Sequence, residues 1–389
     1  MKSVWHLALT LLVWFSPLAL ANSAAPVLLT GAEQPAKYLP LLKGKRVGLL
    51  VNQTSVVGEQ HLVDFLLAQN IQVVAIFAPE HGFRGNHDAG AAIANGTDSR
   101  TGLPVWSMYG ASKKPSPEQM QALDIILFDI QDVGVRYYTY ISSMHYMLAA
   151  AAEFSKPMLV LDRPNPNGAY VDGPVLDLAF QSFVGMHPIP LLHGMTVGEL
   201  ALMIKGEGWI AQADKLTLTV IPVANYQRQQ AYTLPIPPSP NLPNQQAIKL
   251  YPSLGFFEAT PLSVGRGTDF PFQVIGYDKF ATDGFAFTPV STPGAALKPP
   301  LMDQLLHGED LRHVPAGGLT LSYLMRWNQL FDSHAKTLFS APDFMDKLAG
   351  TDQLRLQIAA GLSEAQIRAS WQPQLQLFLK QRQAYLLYP

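Results

Sequence analysis

Glu80, His81 and Arg84 form the polar group in the sequence that is best placed to do chemistry. They follow directly on Val73–Ala78, an apolar and β-branched run that is typical of a buried strand. In open α/β sheets, charged side chains at the carboxyl end of such a strand commonly build a ligand site. The same residues could also form a structural ion network, so the pattern favours a site without establishing one.

Paired carboxylates suit the hydrolysis of a glycosidic bond. That reaction needs one carboxylic acid held protonated near neutral pH and a second charged group beside it. Besides Glu80, the acids outside plain surface runs are Asp129, Asp132, Glu199 and Glu258. Glu199 also lies three residues after Thr196, so that it could instead complete a capping box at the start of a helix.

Other chemistries remain open on the residues alone. His81, His87, Asp88 and Asp129 could collect a metal for hydrolysis, although no HExxH or comparable spacing supports this. The cleft could also only bind a solute, as exported two-lobed binding proteins do. A serine hydrolase is disfavoured because no GxSxG elbow follows a strand. No phosphate-binding glycine loop follows a strand either, so we expect no nucleotide cofactor. Because no metal-ligand spacing is present, we also expect no metal, and we expect no other cofactor.

The elements that must position these side chains alternate between strand and helix. Strands are predicted at the apolar runs 46–52, 73–78, 125–129 and 158–162. Helical patterns lie between them, which predicts a parallel, doubly wound, Rossmann-like domain. The strand ends, at Asn52, Glu80, Asp129 and Asp162, should then line one edge of the sheet.

Length and composition predict a globular chain of two domains. The 389 residues exceed one ordinary core, and 48% of them are hydrophobic. A Pro-, Gly- and Asn-rich stretch at 165–190 divides a Rossmann-like domain at 26–185 from a second domain at 190–389. A net charge of −2 gives no electrostatic case for nucleic acid or an anionic membrane. The absence of Cys excludes thiol nucleophiles, disulfides and cysteine-ligated zinc.

The first 21 residues have the pattern of a secretory signal. Lys2 precedes the apolar stretch Leu7–Leu20, and Ala19-Leu20-Ala21 fits a small-x-small cleavage site. The run is short for a membrane span, and Pro17 interrupts it. We expect a cleaved signal and a periplasmic or secreted protein without a stable membrane anchor. An uncleaved anchor is the alternative.

Several longer stretches resemble one family of exported bacterial proteins, the exo-β-N-acetylmuramidases. They span nearly the whole chain after the signal, in the expected order. The matching stretches are FAPEHGFRG (77–85), DIQDVGVRYYTYI (129–141), LDRPNPNG (161–168), GMTVGEL (194–200), PPSPNLP (237–243), YPSLGFFEAT (251–260), SVGRGTDFPF (263–272) and SWQPQLQLFLKQRQAYLLYP (370–389).

This resemblance implies an enzyme that removes N-acetylmuramic acid from the non-reducing end of peptidoglycan fragments. It also implies a second α+β domain after the Rossmann-like one, with the active site in the cleft between them. Glu80, in the PEHGF motif, is then the leading catalytic carboxylate, with Glu258 and Glu199 as candidates for the second group. Family members often have Glu-Gly-Thr where this chain has Glu258-Ala259-Thr260. They often carry Glu where this chain has Asp172, which puts a role for Asp172 in doubt.

The implied substrate carries a lactyl carboxylate, which a bidentate guanidinium would bind well. The matching motifs contain four arginines on predicted loops: Arg84, Arg136, Arg163 and Arg266. We select Arg266 as the reader because Gly265 and Gly267 allow a close approach of the backbone to a ligand. Tyr137, Tyr138 and Tyr140 could stack on the sugar ring, or they could instead begin a helix and pack in the core. The remaining expected substrate contacts are His81, Asp129, Asp132, Asn165 and Asp269.

Overall fold

A computed structural model describes residues 27–84, 95–110, 112–280 and 284–389. Its strands are β1 (Val47–Val51), β2 (Val56–Val57), β3 (Gln60–His61), β4 (Val73–Ala78), β5 (Gly96–Thr97), β6 (Pro104–Ser107), β7 (Ile125–Asp129), β8 (Met158–Leu161), β9 (Asp172–Val175), β10 (Pro190–Leu192), β11 (Leu218–Ile221), β12 (Val274–Tyr277), β13 (Phe285–Phe287) and β14 (Leu306–Asp310). Its α-helices are α1 (Pro35–Leu42), α2 (Leu62–Ala68), α3 (Pro117–Gln121), α4 (Tyr140–Glu153), α5 (Val197–Gly206), α6 (Gln245–Leu254), α7 (Ser322–Ser333), α8 (Pro342–Ala349), α9 (Gln353–Ala359) and α10 (Glu364–Gln381).

A seven-stranded sheet organises the first half of the chain. Its strand order is β11–β8–β7–β1–β4–β6–β5, and every neighbouring pair is parallel except β5 with β6. Alternate residues of each strand face opposite sides of the sheet. Leu49 and Leu127 pack with α1 and α2 on one side, whereas Leu50 and Phe128 pack with α4 and α5 on the other. The predicted doubly wound α/β fold is confirmed.

The sheet extends past the predicted boundary at residue 185. Strand β11 lies at 218–221 and pairs with β8 along its whole length. The Pro- and Gly-rich stretch therefore belongs to a crossover that includes the small β9–β10 sheet. The predicted capping box at Thr196 with Glu199 is confirmed, and α10 begins with a second one at Ser363 with Gln366.

The second half of the chain is α+β. A three-stranded antiparallel sheet in the order β12–β14–β13 is flanked by the helices α6 to α10. One hydrophobic core runs without a break from α4 and α5 of the first half to Phe256, Trp327 and Phe331 of the second. The two halves therefore meet over a packed apolar surface.

The last residues return to the first domain. The Tyr388 hydroxyl donates to the Asp162 carboxylate and accepts from the Val223 amide at 2.8 Å. The Leu387 amide donates to Glu199 at 2.7 Å, and the Arg228 guanidinium donates to the Tyr388 carbonyl at 3.1 Å. We call residues 386–389 the C-terminal strap.

Some expectations fall on residues that the structure does not describe. The predicted signal at 1–21 lies outside the described ranges, as do His87 and Asp88 of the metal hypothesis. Within the described ranges, no helix has both the length and the apolar character needed to cross a bilayer.

Candidate active site

A cavity of about 590 Å³ lies between the two halves of the molecule. This volume suits a small ligand such as one or two sugar rings. The first half contributes Glu80, His81, Tyr109, residues 137–140, Phe183 and Val184 to its lining. The second half contributes Ser239, Asn241, Leu242, Tyr251, Glu258, Arg266, Phe272, residues 295–300, Phe344 and Leu348. We call this cavity the cleft.

Glu80 stands on the N-terminal side of the cleft, two residues beyond β4. The chain turns sharply there, with His81 at φ 69° and Gly82 at φ 79°, and this turn presents the carboxylate at the end of the strand. The Thr139 hydroxyl donates to Glu80 Oε2 at 2.7 Å, and the Tyr109 hydroxyl bonds the same carboxylate. Burial raises the pKa of Tyr109, and the nearby Glu80 charge raises it further, so this phenol stays a donor.

Glu258 stands on the C-terminal side, in a short 3₁₀ helix at Gly255–Ala259. Arg266 Nε and Nη2 both donate to its Oε1, at 2.8 and 2.7 Å. Burial alone would lower the pKa of Arg266, but the Glu258 carboxylate more than offsets this and raises it. The arginine is therefore a permanent cation, and its two hydrogen bonds hold the Glu258 carboxyl group in place.

The predicted Gly-Arg-Gly turn positions this arginine. Gly265 and Gly267 have φ of 82° and 81°, which side-chain-bearing residues rarely adopt. A Cβ on Gly267 would lie 2.5 Å from the Val290 carbonyl oxygen. The Arg266 guanidinium also lies over the Phe272 ring, 5.0 Å from its centroid. The turn thus serves close packing against its own domain, with the guanidinium directed to Glu258.

Residues 136–140 connect the two sides of the cleft. The Tyr137 hydroxyl donates to the Tyr251 and Pro252 carbonyls, at 2.8 and 2.9 Å. These carbonyls lie near the end of α6, a few residues before Glu258. Thr139, two residues after Tyr137, holds Glu80. One short segment therefore bonds both to the Glu80 carboxylate and to the backbone that leads to Glu258.

The arrangement can support acid–base chemistry on a bound sugar. Two carboxylates line one cleft, and their environments differ, since hydroxyl groups bond Glu80 and a guanidinium pairs with Glu258. Such a difference is how enzymes separate the roles of two like groups. The half-buried rings of Tyr109 and Phe183 give the cleft apolar faces of the kind on which sugar rings stack. Tyr137, a candidate for stacking on the sugar, is only 3% exposed and packs inside the protein.

Five of the predicted site residues lie in the cleft: Glu80, His81, Tyr137, Glu258 and Arg266. The other eight do not line it: Arg84, Asp129, Asp132, Arg136, Arg163, Asn165, Glu199 and Asp269. Seven of these eight residues have hydrogen-bonding or ion-pair partners elsewhere in the fold, and Asp269 is exposed.

Asp129 and Arg163 pair with each other under the sheet edge. Arg163 Nε and Nη2 donate to the Asp129 carboxylate at 2.5 and 2.8 Å, and both side chains are buried. Asp132 is buried too and accepts from the Gly134 amide at 2.6 Å; burial raises the pKa of Asp132 to about 7. Asn165 bonds the Met195 carbonyl at 2.9 Å. All four hold loops in place.

Arg136 is fully buried and bonds only backbone carbonyls. Its two terminal nitrogens donate to the carbonyls of Pro174, Ile189, Leu348 and Ala349 at 2.5 to 3.1 Å. Burial lowers the pKa of this guanidinium to about 9. Leu348 and Ala349 end α8, whose Phe344 and Leu348 line the cleft. Arg136 therefore fastens α8 to the first half instead of contacting a ligand.

The remaining three also have other settings. Glu199 is buried, completes its capping box and pairs with Arg228 at 2.7 Å, so we assign it a structural role. Arg84 binds Asp98 at 3.0 Å and faces a separate shallow pocket with His61. Asp269 is exposed outside the cleft. The described residues contain no group of three His, Asp or Glu arranged to hold a metal.

Sequence reasoning missed Tyr109, Thr139 and Lys298 of the cleft lining. Tyr109 follows β6, the strand beside β4, so the strand-end argument that selected Glu80 also applies to it. Thr139 lies within a stretch that was singled out for its tyrosines. Lys298 lies in a Pro- and Ala-rich segment without any signal of its own.

Comparison with known proteins covers the same two halves. Residues 47–246 match the family model described as exo-beta-N-acetylmuramidase NamZ, N-terminal, and residues 249–388 match its C-terminal counterpart. The chain is 39% identical over 373 residues to the peptidoglycan beta-N-acetylmuramidase NamZ of Bacillus subtilis (strain 168), covering 90% of this chain and 89% of that protein.

Two solved structures are similar, both described as DUF1343 family proteins of Bacteroides fragilis NCTC 9343. The first has a TM-score of 0.85 at 46% identity, and the second has 0.80 at 30%. Each comparison covers 93% of this chain and 99% of the other. The similarity therefore extends over both halves of the molecule and the cleft between them.

Proposed function

The chain belongs to the exo-beta-N-acetylmuramidase NamZ family and is a glycosidase, and on that premise we propose that it releases N-acetylmuramic acid from the non-reducing end of peptidoglycan fragments. Its substrates are then oligosaccharides of muramic acid and glucosamine. The observation that carries the proposal is the pair of glutamates, Glu80 and Glu258, which face one sugar-sized cleft from opposite domains.

Glu80 acts as the general acid. The hydroxyls of Thr139 and Tyr109 bond its carboxyl group and hold it in the cleft lining, where it can approach a glycosidic oxygen. In the reaction its proton passes to the glycosidic oxygen, the bond from that oxygen to C1 breaks, and the shortened fragment leaves as an alcohol.

Glu258 acts as the charged partner. The ion pair with Arg266 holds this carboxylate in the cleft, and a carboxylate beside C1 stabilises the positive charge that develops there as the bond breaks. Water then supplies the new hydroxyl group at C1, and its remaining proton passes to Glu80, which restores the general acid. The cycle is complete without any further reactant.

Export completes the proposal. The basic and apolar start of the chain would direct the enzyme to the periplasm or the exterior, where peptidoglycan fragments occur. There it would act without a stable membrane anchor.

The test is product release by the purified chain. We expect incubation with a muramic acid–glucosamine disaccharide to yield both monosaccharides, and we expect longer fragments to lose one muramic acid from the non-reducing end. Chromatography of the products over time distinguishes this from internal cleavage. If calorimetry detected sugar binding and no bond were cleaved, the chain would be a binding protein and the proposal would fail. Loss of activity in EDTA would point instead to metal-dependent hydrolysis.

A further inference from the structure

The lactyl group gives the proposed substrate a negative charge that the cleft must accommodate. Two glutamates already line the cleft, so a substrate carboxylate that enters beside them needs a cation to pair with it. The identity of that cation determines whether the site prefers muramic acid to glucosamine. This question rests on the proposed function, because only the muramic sugar carries the carboxylate.

Three of the four arginines predicted for this task are occupied elsewhere. Arg84 is bonded to Asp98, and Arg163 to Asp129, both away from the cleft lining. Arg136 lies in its cage of four carbonyls. Each of these three guanidinium groups is therefore bonded within the protein and does not line the cleft.

Arg266 does line the cleft, but its charge is already balanced. Nε and Nη2 bond one oxygen of Glu258, and Nη1 is buried without a hydrogen-bond partner among the described residues. The side chain is only 17% exposed. A substrate carboxylate would have to compete with Glu258 for this guanidinium.

Lys298 is the other Lys or Arg in the cleft lining of the described chain. In contrast to Arg266, it is exposed, and it forms no ion pair with any carboxylate that the structure describes. Apart from Lys2, every lysine and arginine of the sequence lies within the described ranges. The structure therefore describes every Lys and Arg that follows the predicted signal, and two of them, Arg266 and Lys298, line the cleft.

The backbone around Lys298 is held firmly. Thr292 and Ala296 bond each other's backbone at 2.9 and 2.8 Å, and the Asn241 side chain donates to the Ala295 carbonyl at 2.9 Å. Two prolines follow Lys298 and restrict it to an extended conformation. The first of them, Pro299, packs against the turn at Gly267, the neighbour of Arg266.

We propose that Lys298 binds the lactyl carboxylate and thereby selects muramic acid over glucosamine. Each cation of the cleft lining then has its own anion, since Arg266 pairs with Glu258 and Lys298 pairs with the substrate carboxylate. A flexible ammonium group on a fixed backbone suits an anion that arrives and leaves with each turnover.

The experiment compares three nitrophenyl sugars in steady-state kinetics: the β-N-acetylmuraminide, its lactyl methyl ester and the β-N-acetylglucosaminide. Lys298→Met should lower kcat/KM for the muraminide about tenfold, mainly through KM, because one charge-assisted hydrogen bond is lost in a partly solvated site. Values for the ester and the glucosaminide should change less than twofold. Lys298→Arg should restore most of the loss, and Lys336→Met, an exposed lysine outside the cleft, should match wild type.

Equal losses on all three sugars would overturn the proposal, since Lys298 would then only support the cleft wall. An unchanged muraminide KM in Lys298→Met would overturn it as well. Calorimetric titration of wild type and Lys298→Met with free N-acetylmuramic acid provides a separate readout, with about tenfold weaker binding expected for the variant. A wild type that cleaves no muraminide would refute the proposed function, and the calorimetry would still decide the role of Lys298.

Discussion

The two sides of the cleft hold similar acids in different ways. On the N-terminal side, Glu80 comes from the end of a central parallel strand and receives hydrogen bonds from hydroxyl groups. On the C-terminal side, Glu258 comes from a short 3₁₀ helix and pairs with a guanidinium. The difference teaches that neighbours, more than residue type, give two glutamates opposite tasks. In the proposed mechanism, one side supplies a proton and the other supplies a charge.

The largest effect expected concerns the leaving group. Glu80→Gln should lower turnover of the muramic acid–glucosamine disaccharide by about 10²–10⁴, because the sugar alcohol leaves poorly without a proton. A nitrophenol leaves readily, so the same variant should lose far less on the nitrophenyl muraminide. Glu258→Gln should lose similar factors on both substrates.

Steady-state rates of the two variants on the two substrates provide the measurement, with circular dichroism to check folding. The opposite pattern would exchange the roles of the two sides. A folded Glu80→Gln that kept more than roughly a tenth of the wild-type rate on the disaccharide would end the catalytic assignment of Glu80.

A smaller effect should follow from removing the cation on the C-terminal side. Arg266→Ala should lower kcat about 10–100-fold, because Glu258 loses its charge-assisted hydrogen bonds. The muraminide and the glucosaminide should be affected by the same factor, since Arg266 holds Glu258 whichever sugar is bound. Arg46→Ala, which breaks an exposed pair with Asp124 outside the cleft, is the matched control and should leave the kinetics unchanged. A loss confined to the muraminide would make Arg266 the lactyl reader and remove the contrast between the two sides.

A further, smaller effect tests the segment that connects the sides. Tyr137→Phe removes the hydroxyl that donates to two carbonyls of the second domain, at a cost of about 1–2 kcal/mol in stability. Because the spacing of the two glutamates should loosen, kcat should fall roughly three- to tenfold with little change in KM. Tyr385→Phe, which removes a bond to Glu207 far from the cleft, should lower the melting temperature without changing kcat. Equal kcat values for both variants would show that the segment does not set the spacing.

The last effect concerns the stability of the first half of the molecule in acid instead of catalysis. Burial lowers the pKa of His145 to about 4 and that of His193 to about 3, and it lowers the pKa of His187 well below its usual value. These rings are neutral in the fold but take up protons in the unfolded chain below about pH 6.5. Their contribution to stability is therefore present above pH 6.5 and declines as the pH falls toward 4.

Urea unfolding at pH 7.5 and 5.0 measures this decline. The loss of unfolding free energy should be about 1 kcal/mol or more per buried histidine over this interval, with less loss in His145→Phe. An unchanged free energy would mean that these rings already accept protons in the folded protein.

The sequence predicted the scaffold better than the site. Strand β4 is found at its predicted bounds, and the periodicity of apolar residues is sufficient to place strands such as β7. Position at a strand end could not reveal which acids face the cleft. Asp129 meets Arg163, which comes later in the chain, whereas Glu80 meets Thr139 and opens to the cavity. These partners are set by tertiary contacts that no local pattern records.

The same limit applies to the arginines. Arg136 and Arg266 lie in motifs of equal quality, yet one ends among backbone carbonyls and the other beside Glu258. Charge and motif membership predicted candidates, and only burial and pairing distinguished them. Lys298 lies in no motif, and yet its side chain lines the cleft.

The C-terminal strap sets the order in which the molecule can be assembled. Asp162 and Glu199 are buried in the first domain, yet Tyr388 and Leu387, which lie 226 and 188 residues further along the chain, supply hydrogen bonds to them. Until those residues arrive, the first domain carries two acids without their full set of donors, a state that costs free energy. Folding of the N-terminal domain before the C-terminal strap is available is therefore unfavourable. The first domain is complete only once the C-terminal strap, which follows the whole second half in sequence, has docked on it.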